Sequence, residues 1–576
     1  MATTQLPGFG RRLDYIPNEA DPEFINKPFP SALSTRDVTD LTISMPMMAL
    51  REFAMLQLMN EATDKIDWNI KLQNPEFSSK WKEEALSSGP DITPKMADWC
   101  LDELRYNASL IPPDAPAPPI FVFNGDVFKS DNAVSAELKK ALQENVPGSH
   151  EKVWDLVHPS LFPLVYGRTR VLSDGETTTL EDCIQRCGKG EVTSIPIETL
   201  GQSFHPGTRS WYNYFRRLTH PYSDKFQCLP CEVDISEDQA RITSYINNLH
   251  PQKEKPLYEI ISQLITASIP LWELTLAPLV QGNKFSRSTR IVYTRREYDP
   301  DTEERPETEG PRPESNEDEN ENAQKTLVRP EPEAFEPLPS PPTLNLRAVY
   351  GKRGLQVIVK LANIELTPDK PNYDGGSWHI EGHMNEHIVA TALYYYSNDN
   401  ITSSSLSFRQ QCDGDEVFDM DYEQDRHEWL DVVFGYRQNG PRVQDVGSVD
   451  TPEGRLLTFP NVLQHRVGSF KLVDPTKPGH RKIVISTAHV PCQRKDWWIE
   501  AILEKQSTGV HSQDGVSSPG QVKRLNDLPF ELQDLIFKQI GDFPISMEDA
   551  EKLRLKFMKE RREFLIPGYA GVLPLR

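Results

Sequence analysis

The stretch SWHIEGHMNEHIVATALYYY, residues 377–396, is the densest chemistry in the chain and ends in a run of strand formers. Ile388–Tyr396 is rich in Ile, Val, Thr and Tyr, the composition of a packed strand. Alternate residues of a strand share a face. A short strand over Trp378–Glu381 therefore presents the His379 imidazole and the Glu381 carboxylate side by side. Downstream, LTFPNVLQHRV (457–467) sets His465 on another strand. Two histidines and one carboxylate on the inner face of a β-barrel form the facial triad that leaves positions open on Fe(II). After the turn DPTKPG (474–479) comes Arg481, placed on the next strand to grip a carboxylate through two parallel hydrogen bonds. In an iron oxygenase that carboxylate would be the distal one of 2-oxoglutarate.

Working outward, further short strands are predicted over 355–361, Ser405–Arg409, Trp429–Phe434, Arg455–Phe459, Gln464–Leu472 and Arg481–Thr487, separated by Gly/Pro/Asn/Asp turns. Such a series implies a sandwich or jelly-roll barrel. Helices are expected over Met47–Met59, capped by Ser44, then twice within 78–106, at Pro256–Leu276 and at Pro529–Ile540, with a last one behind Ser546. Strands are expected at Pro119–Phe123, Tyr166–Leu172, Arg241–Asn247 and Thr289–Thr294. The basic run Lys552–Arg562 reads as a solvated helix face.

The chain has 576 residues, room for several domains' worth of core, with 37% apolar and 26% charged residues. Net charge is −22. That balance, without a basic groove, disfavours nucleic acid and anionic membrane surfaces as partners. Seven cysteines fit a reducing compartment better than a disulfide scaffold. No run of 18 apolar residues and no signal peptide is apparent, so a cytoplasmic or nuclear protein is expected. Residues 301–340 hold 13 acidic against 4 basic residues and 7 prolines, so 299–342 reads as disordered. Gln506–Gly520 reads as a linker. The organisation expected is an arm over 1–43, a helical region over 44–118 and a mixed region over 119–298. After the acidic segment come the β-rich core over 343–495 and a linker with helices over 496–576.

GSWHIEG, ATALYYYSNDN, SLSFR, GRLLTFPNVLQHRV and GHRKIVIS together resemble the double-stranded β-helix of Fe(II)/2-oxoglutarate-dependent oxygenases, in their prolyl-hydroxylase-like branch, across about residues 350–490. LVHPSLFPLVYGRTRVL (156–172), SYINNLHP (244–251) and NEHIVATALYYYSNDNI (385–401) resemble a large fungal family known only as a domain of unknown function. The resemblance implies an α+β protein with a double-stranded β-helix (jelly-roll) core and helical N- and C-terminal elaborations. It implies His379, Glu381 and His465 as ligands of Fe(II), and Arg481 as the anchor of 2-oxoglutarate, with O₂ as co-substrate. The substrate expected is a small molecule or a protein side chain. Tyr396 is a candidate hydrogen-bond partner of 2-oxoglutarate, with core packing as its other reading. Two departures stand out. Glu381 occupies the place usually held by Asp, and Ser403-Ser404-Ser405 replaces a Gly-Gly-x-Thr stretch.

Other readings compete. His383-x-x-Glu386-His387 matches an inverted zinc-hydrolase signature, which needs both histidines on one helix face. A jelly-roll scaffold without iron chemistry is a third. Cys183, Cys187, Cys228 and Cys231 could make a four-thiolate zinc site. Arg455 and Arg466 rival Arg481 as anchors. Cys100, Cys412 and Cys492 read as buried thiols.

Overall fold

The computed structural model describes residues 29–33, 45–88, 91–111, 118–123, 126–146, 157–172, 178–196 apart from 185 and 187–189, 222–280, 289–293, 327–338, 343–412, 429–489 apart from 438, 439 and 442, and 547–565. Ser44, Cys187, Cys492, the helix expected at 529–540 and the linker at 506–520 lie outside them, as does most of the arm over 1–43.

The N-terminal apolar spacing yields helices α1 (Leu50–Thr63), α2 (Trp68–Lys71), α3 (Pro75–Ser88) and α4 (Pro94–Ser109). Thr93 caps α4 by accepting the Met96 N–H, with Pro94 in the first turn, the arrangement a helix start favours. α1 begins at Leu50 rather than Met47. Met45 is held as a bridge to Cys412, which keeps the lead-in extended. Strands β1 (Ile120–Phe123) and β2 (Val127–Ser130) and helix α5 (Ala136–Asn145) follow. The strand expected at 166–172 is broken into β3 (Leu164–Val165) and β4 (Arg170–Val171), because Gly167 turns the chain at φ +77°. Then come β5 (Glu191–Val192), β6 (Phe226–Gln227), β7 (Cys231–Asp234) and a β8 of only Arg241–Ile242.

Helix α6 (Lys255–Leu276) is buried along most of its length. With the turn after it, it is long and apolar enough to cross a membrane by length and composition, although no single unbroken apolar run produces that. Residues 289–293 form no strand. Arg290 is drawn instead into a buried ion cluster, its Nε 2.7 Å from Glu103 and its N–H 2.9 Å from Glu52. The end of the acidic segment is ordered as well. Over 327–338, Phe335 meets the Trp99 ring at 5.3 Å and Arg329 pairs with Asp91 at 2.8 Å. A few apolar residues and these pairs offset the ordering cost there.

Helix α7 (Leu346–Tyr350) leads into β9 (Leu355–Leu366), β10 (Asn372–Tyr373), β11 (Ile388–Asp399) and β12 (Ser405–Gln411). Trp429–Phe434 is a helical turn, not a strand. Its buried residues Trp429, Leu430, Val433 and Phe434 recur at helical spacing. The strand is instead β13 (Val443–Asp450), followed by β14 (Leu456–Pro460), β15 (Gln464–Val467), β16 (Phe470–Lys471) and β17 (Gly479–His489). The last described element is helix α8 (Met547–Leu565).

The protein is a mixed α/β chain around a large antiparallel sheet, ordered β1-β2-β14-β11-β17-β9-β7-β8. A second sheet runs β13-β12-β15, and an isolated bridge between His379 and His465 extends it. The sheets face each other: Phe408 of β12 meets Phe459 of β14 at 5.1 Å. Directly paired residues share a face. The register therefore assigns Phe459, Thr391, Leu393, Tyr395, Arg481, Ile485, Thr487, Ile358 and Lys360 to the inner side of the large sheet. Helix α6 lies on the outer side, where Thr275 and Thr458 hydroxyls meet at 2.9 Å. One buried cluster joins α1, α4, α6 and both sheets. A smaller one, of Leu161, Phe162, Phe226, Ile358, Ile388 and Phe557, sets α8 against one end of the inter-sheet space.

Candidate metal centre

His379 and His465 are cross-strand partners. Each donates its N–H to the other's carbonyl, at 3.1 and 2.9 Å, and the rings stand 4.3 Å apart. The strand expected over Trp378–Glu381 does not form: His379 makes a single bridge and Glu381 lies in a bend that Gly382 continues, yet the carboxylate still reaches the histidines. Glu381 Oε1 lies 3.8 Å from His465 Nε2. One ligand atom from each residue falls within 4.8 Å of the others, and among the described residues this is the sole such group of three.

Second partners orient the donors. The Ser377 carbonyl, 2.8 Å from His379 Nδ1, can only accept, so Nδ1 carries the proton and Nε2 keeps its lone pair for a metal. Asn461 holds the Glu381 backbone from both sides. Its Oδ1 accepts the Glu381 N–H at 2.9 Å, and its Nδ2 donates to the Glu381 carbonyl at 2.8 Å. Gly382 ends the segment at φ +72°. A side chain there would strike Glu386 and Ile388 at 2.6 Å.

His465 is held well below the ordinary imidazole range. Burial is the main cause, followed by the charges of His379 and Lys360, which the Leu463 backbone only partly offsets. Its Nδ1 is buried without a hydrogen bond, and its Nε2 is too far from Glu381 for one. A neutral imidazole beside a second imidazole and a carboxylate, with a ring nitrogen left without a hydrogen bond, has the donor chemistry of a metal ligand. The residues present therefore fit a divalent metal.

Arg481 faces the same inter-sheet space by its register and is fully buried on β17. Its Nη2 donates to Thr451 Oγ1 at 3.0 Å, while Nε and Nη1 are buried without a hydrogen bond. Tyr395 lies 4.8 Å and Phe470 5.6 Å from the guanidinium. Burial lowers its pKa. The rival arginines are otherwise engaged. Arg455 forks onto Asp131 at 2.8 Å through two nitrogens, and Arg466 stacks over Trp378 on the outside.

Tyr396 does not reach this space. It sits at a bulge in β11, and its hydroxyl bonds Asn363, whose partner Lys482 has the strand parity opposite to Arg481. Tyr395 holds the position beside Arg481. The run of three tyrosines left the bulge, and so the parity, illegible.

The His383–His387 segment is one 3₁₀ turn, not a helix. Its Glu386 is fully engaged. It accepts the Cys228 N–H at 2.5 Å, the His383 N–H at 2.6 Å and Arg561 at 2.9 Å, and the last of these arrives from α8. Those donors hold its carboxyl down to about 2 despite burial. His387 is pushed by burial down to about 4. These residues do not converge as a metal-holding group. The thiols likewise diverge. Cys231 donates to the Val357 carbonyl, Cys183 to the Leu180 carbonyl, and Cys228 faces Arg561. Arg561 corrects the reading of 552–562 as solvated, because its side chain is largely buried against Glu386.

Sequence reasoning missed Asn461, Thr451 and Arg561. None belongs to a recognisable spacing. Each works through a partner distant in sequence.

These features define a two-histidine, one-carboxylate cluster between two antiparallel sheets, with a buried arginine behind it. A family model described as "Protein of unknown function (DUF4246)" matches residues 94–501, and the chain belongs to that family. Residues 6–84 match its companion, "Domain of unknown function DUF4246, N-terminal". No curated protein matches. Among solved structures, the chain has a likeness to the "Crystal structure of IDO from Bacillus thuringiensis" at 10% identity and a TM-score of 0.16, over 24% of this chain and 48% of that one. It also has one to an 11S allergen from Cocos nucifera at 10% identity and a TM-score of 0.10, over 35% and 38%. The chain thus spans about half the length of the first and less of the second, and at these scores neither likeness bears on the fold.

Proposed function

We propose that this protein is an Fe(II)/2-oxoglutarate-dependent oxygenase built on a double-stranded β-helix. The observation that carries the reading is the convergence of His379, Glu381 and His465 within 4.8 Å, with Arg481 behind them holding two buried donors unpaired. The strand order supports it. From β9 onward the chain crosses from one sheet to the other except at the β12–β13 hairpin, so that β14-β11-β17-β9 face β13-β12-β15 and the His379 bridge. That order supports reading the two sheets as a double-stranded β-helix.

In this reading His379, Glu381 and His465 would hold the metal. Iron, when bound, supplies the oxidative chemistry: O₂ and 2-oxoglutarate are consumed, one oxygen atom enters succinate with release of CO₂, and the other enters a substrate C–H bond as hydroxyl. The protein's part is positioning. Asn461 fixes the Glu381 backbone, and Ser377 sets the His379 tautomer. Arg481 takes the distal carboxylate of 2-oxoglutarate, with Thr451 steadying the fork. Phe459 and Phe408 keep that space apolar and exclude water.

The test is anaerobic loading with Fe(II) followed by O₂ and labelled 2-oxoglutarate. Labelled succinate, even uncoupled from substrate, is expected from the wild type and not from His465→Ala. A wild type that binds no iron would instead favour a β-scaffold without redox chemistry.

A further inference from the structure

Lys360 sits in the middle of β9 on the inner face. It pairs with Ile485 of β17 and has the same parity as Ile364, the partner of Arg481. It is half-buried, and its ammonium makes no hydrogen bond or ion pair with any described residue. Two residues further along the same face is Ile358, packed with Ile388 and Phe557 where α8 covers the end of the space. Lys360 therefore stands between the arginine end and the α8 end, with apolar walls on either side.

His158 stands close by. The Val157 carbonyl accepts the Leu361 N–H at 2.9 Å, which fixes the segment alongside β9. Ser160 orients the imidazole, its N–H 3.2 Å and its hydroxyl 2.7 Å from Nδ1. Nδ1 is thus the acceptor, and the neutral ring carries its proton on Nε2 as a donor. Burial, then the charges of Lys360, Arg554 and Arg561, keep the His158 ring neutral. The same Lys360 charge reaches His465. The groups around this end are therefore Lys360, His158, Lys225, Arg554 and Arg561 on the donor side, with Asp224, Glu381, Glu386 and Glu560 as the carboxylates. Glu386 is taken by Arg561, and Glu381 faces the two histidines. None of these carboxylates pairs with Lys360.

Resting on the metal reading above, we propose that the substrate oxidised at this centre is a small organic anion whose carboxylate is held by Lys360, with His158 Nε2–H as a second donor. The distal carboxylate of 2-oxoglutarate and the carboxylate of the substrate would then have separate anchors. 2-Oxoglutarate is gripped by Arg481 at one end, and the substrate by Lys360 towards the other. An end covered by α8, with Phe557 and Ala550 fully buried, suits a small molecule better than a polypeptide.

The experiment uses the full chain, metal-free and loaded with Co(II) plus 2-oxoglutarate. It is titrated calorimetrically with hexanoate and benzoate, and with hexanamide and benzamide as neutral matches. At least one acid is expected to bind about tenfold or more tightly than its amide. Lys360→Met should erase that preference and Lys360→Arg should largely keep it, while the Co(II) absorption and the 2-oxoglutarate affinity stay as in the wild type. No preference for either acid, or a preference that survives Lys360→Met, overturns the proposal. So does a preference lost in Arg481→Met but kept in Lys360→Met, which would put the anion on Arg481. Failure of Co(II) to bind, with the acid preference intact in the metal-free chain, would sink the metal reading and leave the anion site standing.

Discussion

Replacing Arg481 by Met separates a ligand anchor from a structural arginine through two opposite signs. Among the described residues the guanidinium makes one hydrogen bond of good geometry, to Thr451, with the Tyr395 side chain beside it, and keeps Nε and Nη1 buried without one. A buried donor left unsatisfied costs roughly 1–3 kcal/mol. Two such donors together outweigh or match the Thr451 bond, at about 1.5–3 kcal/mol for a charged donor, and the Tyr395 ring contact, at about 1 kcal/mol. Methionine fills similar space without a charge. Arg481→Met should therefore leave the unliganded protein as stable as the wild type or more so, by up to about 2 kcal/mol. Binding should move the other way. A carboxylate deprived of a buried charged partner loses on the order of 3–5 kcal/mol, a factor of more than a hundred in affinity. Urea unfolding of the metal-free chain measures the first quantity. Calorimetric titration of 2-oxoglutarate into the Zn(II)-loaded chain measures the second. A variant destabilised by several kcal/mol, binding 2-oxoglutarate normally, would show that Arg481 serves packing alone.

Other expectations follow from the same geometry. His465→Ala should abolish stoichiometric Co(II) binding followed by absorption, since two donors cannot hold the metal as three do. Asn461→Ala removes the clamp on the Glu381 backbone and should weaken metal binding by about 10- to 100-fold without abolishing it; unchanged affinity would mean that Glu381 is positioned otherwise. Arg561→Met strips the buried Glu386 of its ion-pair partner, which should cost about 3 kcal/mol and appear first as lost amide-exchange protection in α8. The pH dependence of the same pair has a definite sign. The Glu386 carboxyl is depressed to about 2, so its contribution is full above the ordinary carboxylate value near 4.5 and is lost as pH falls from there through about 2. Protection of α8 should fade across that window in the wild type. In Glu386→Gln it should be weaker throughout and lack that transition.

Much of the site was legible along the chain. The His-x-Glu spacing brought His379 and Glu381 together although 378–381 forms a bridge and a bend rather than the strand expected, and Arg481 falls one turn and one strand beyond His465. β9, β11, β12, β14 and β17 announced themselves by β-branched and aromatic runs between turn residues. Family membership, too, is a property of sequence alone. Local reading failed where tertiary partners overrode propensity. Trp429–Phe434 has strand composition but buries a helical stripe, and the alternation of β13 was hidden by its polar residues. Arg290 forgoes a strand for two buried carboxylates, and the end of the acidic segment gains order from Trp99 and Asp91. Parity beyond a bulge cannot be counted along the chain, which is why Tyr395 rather than Tyr396 faces Arg481. Only the tertiary structure decided which charges go unpaired. Composition supplies Arg455, Arg466, Arg481, Lys360 and Arg561 alike. Pairing depends on carboxylates from elsewhere in the chain, Asp131 for Arg455 and Glu386 for Arg561. Folding satisfied those two and left Arg481 and Lys360 facing the space between the sheets, because no acidic residue among those described meets them.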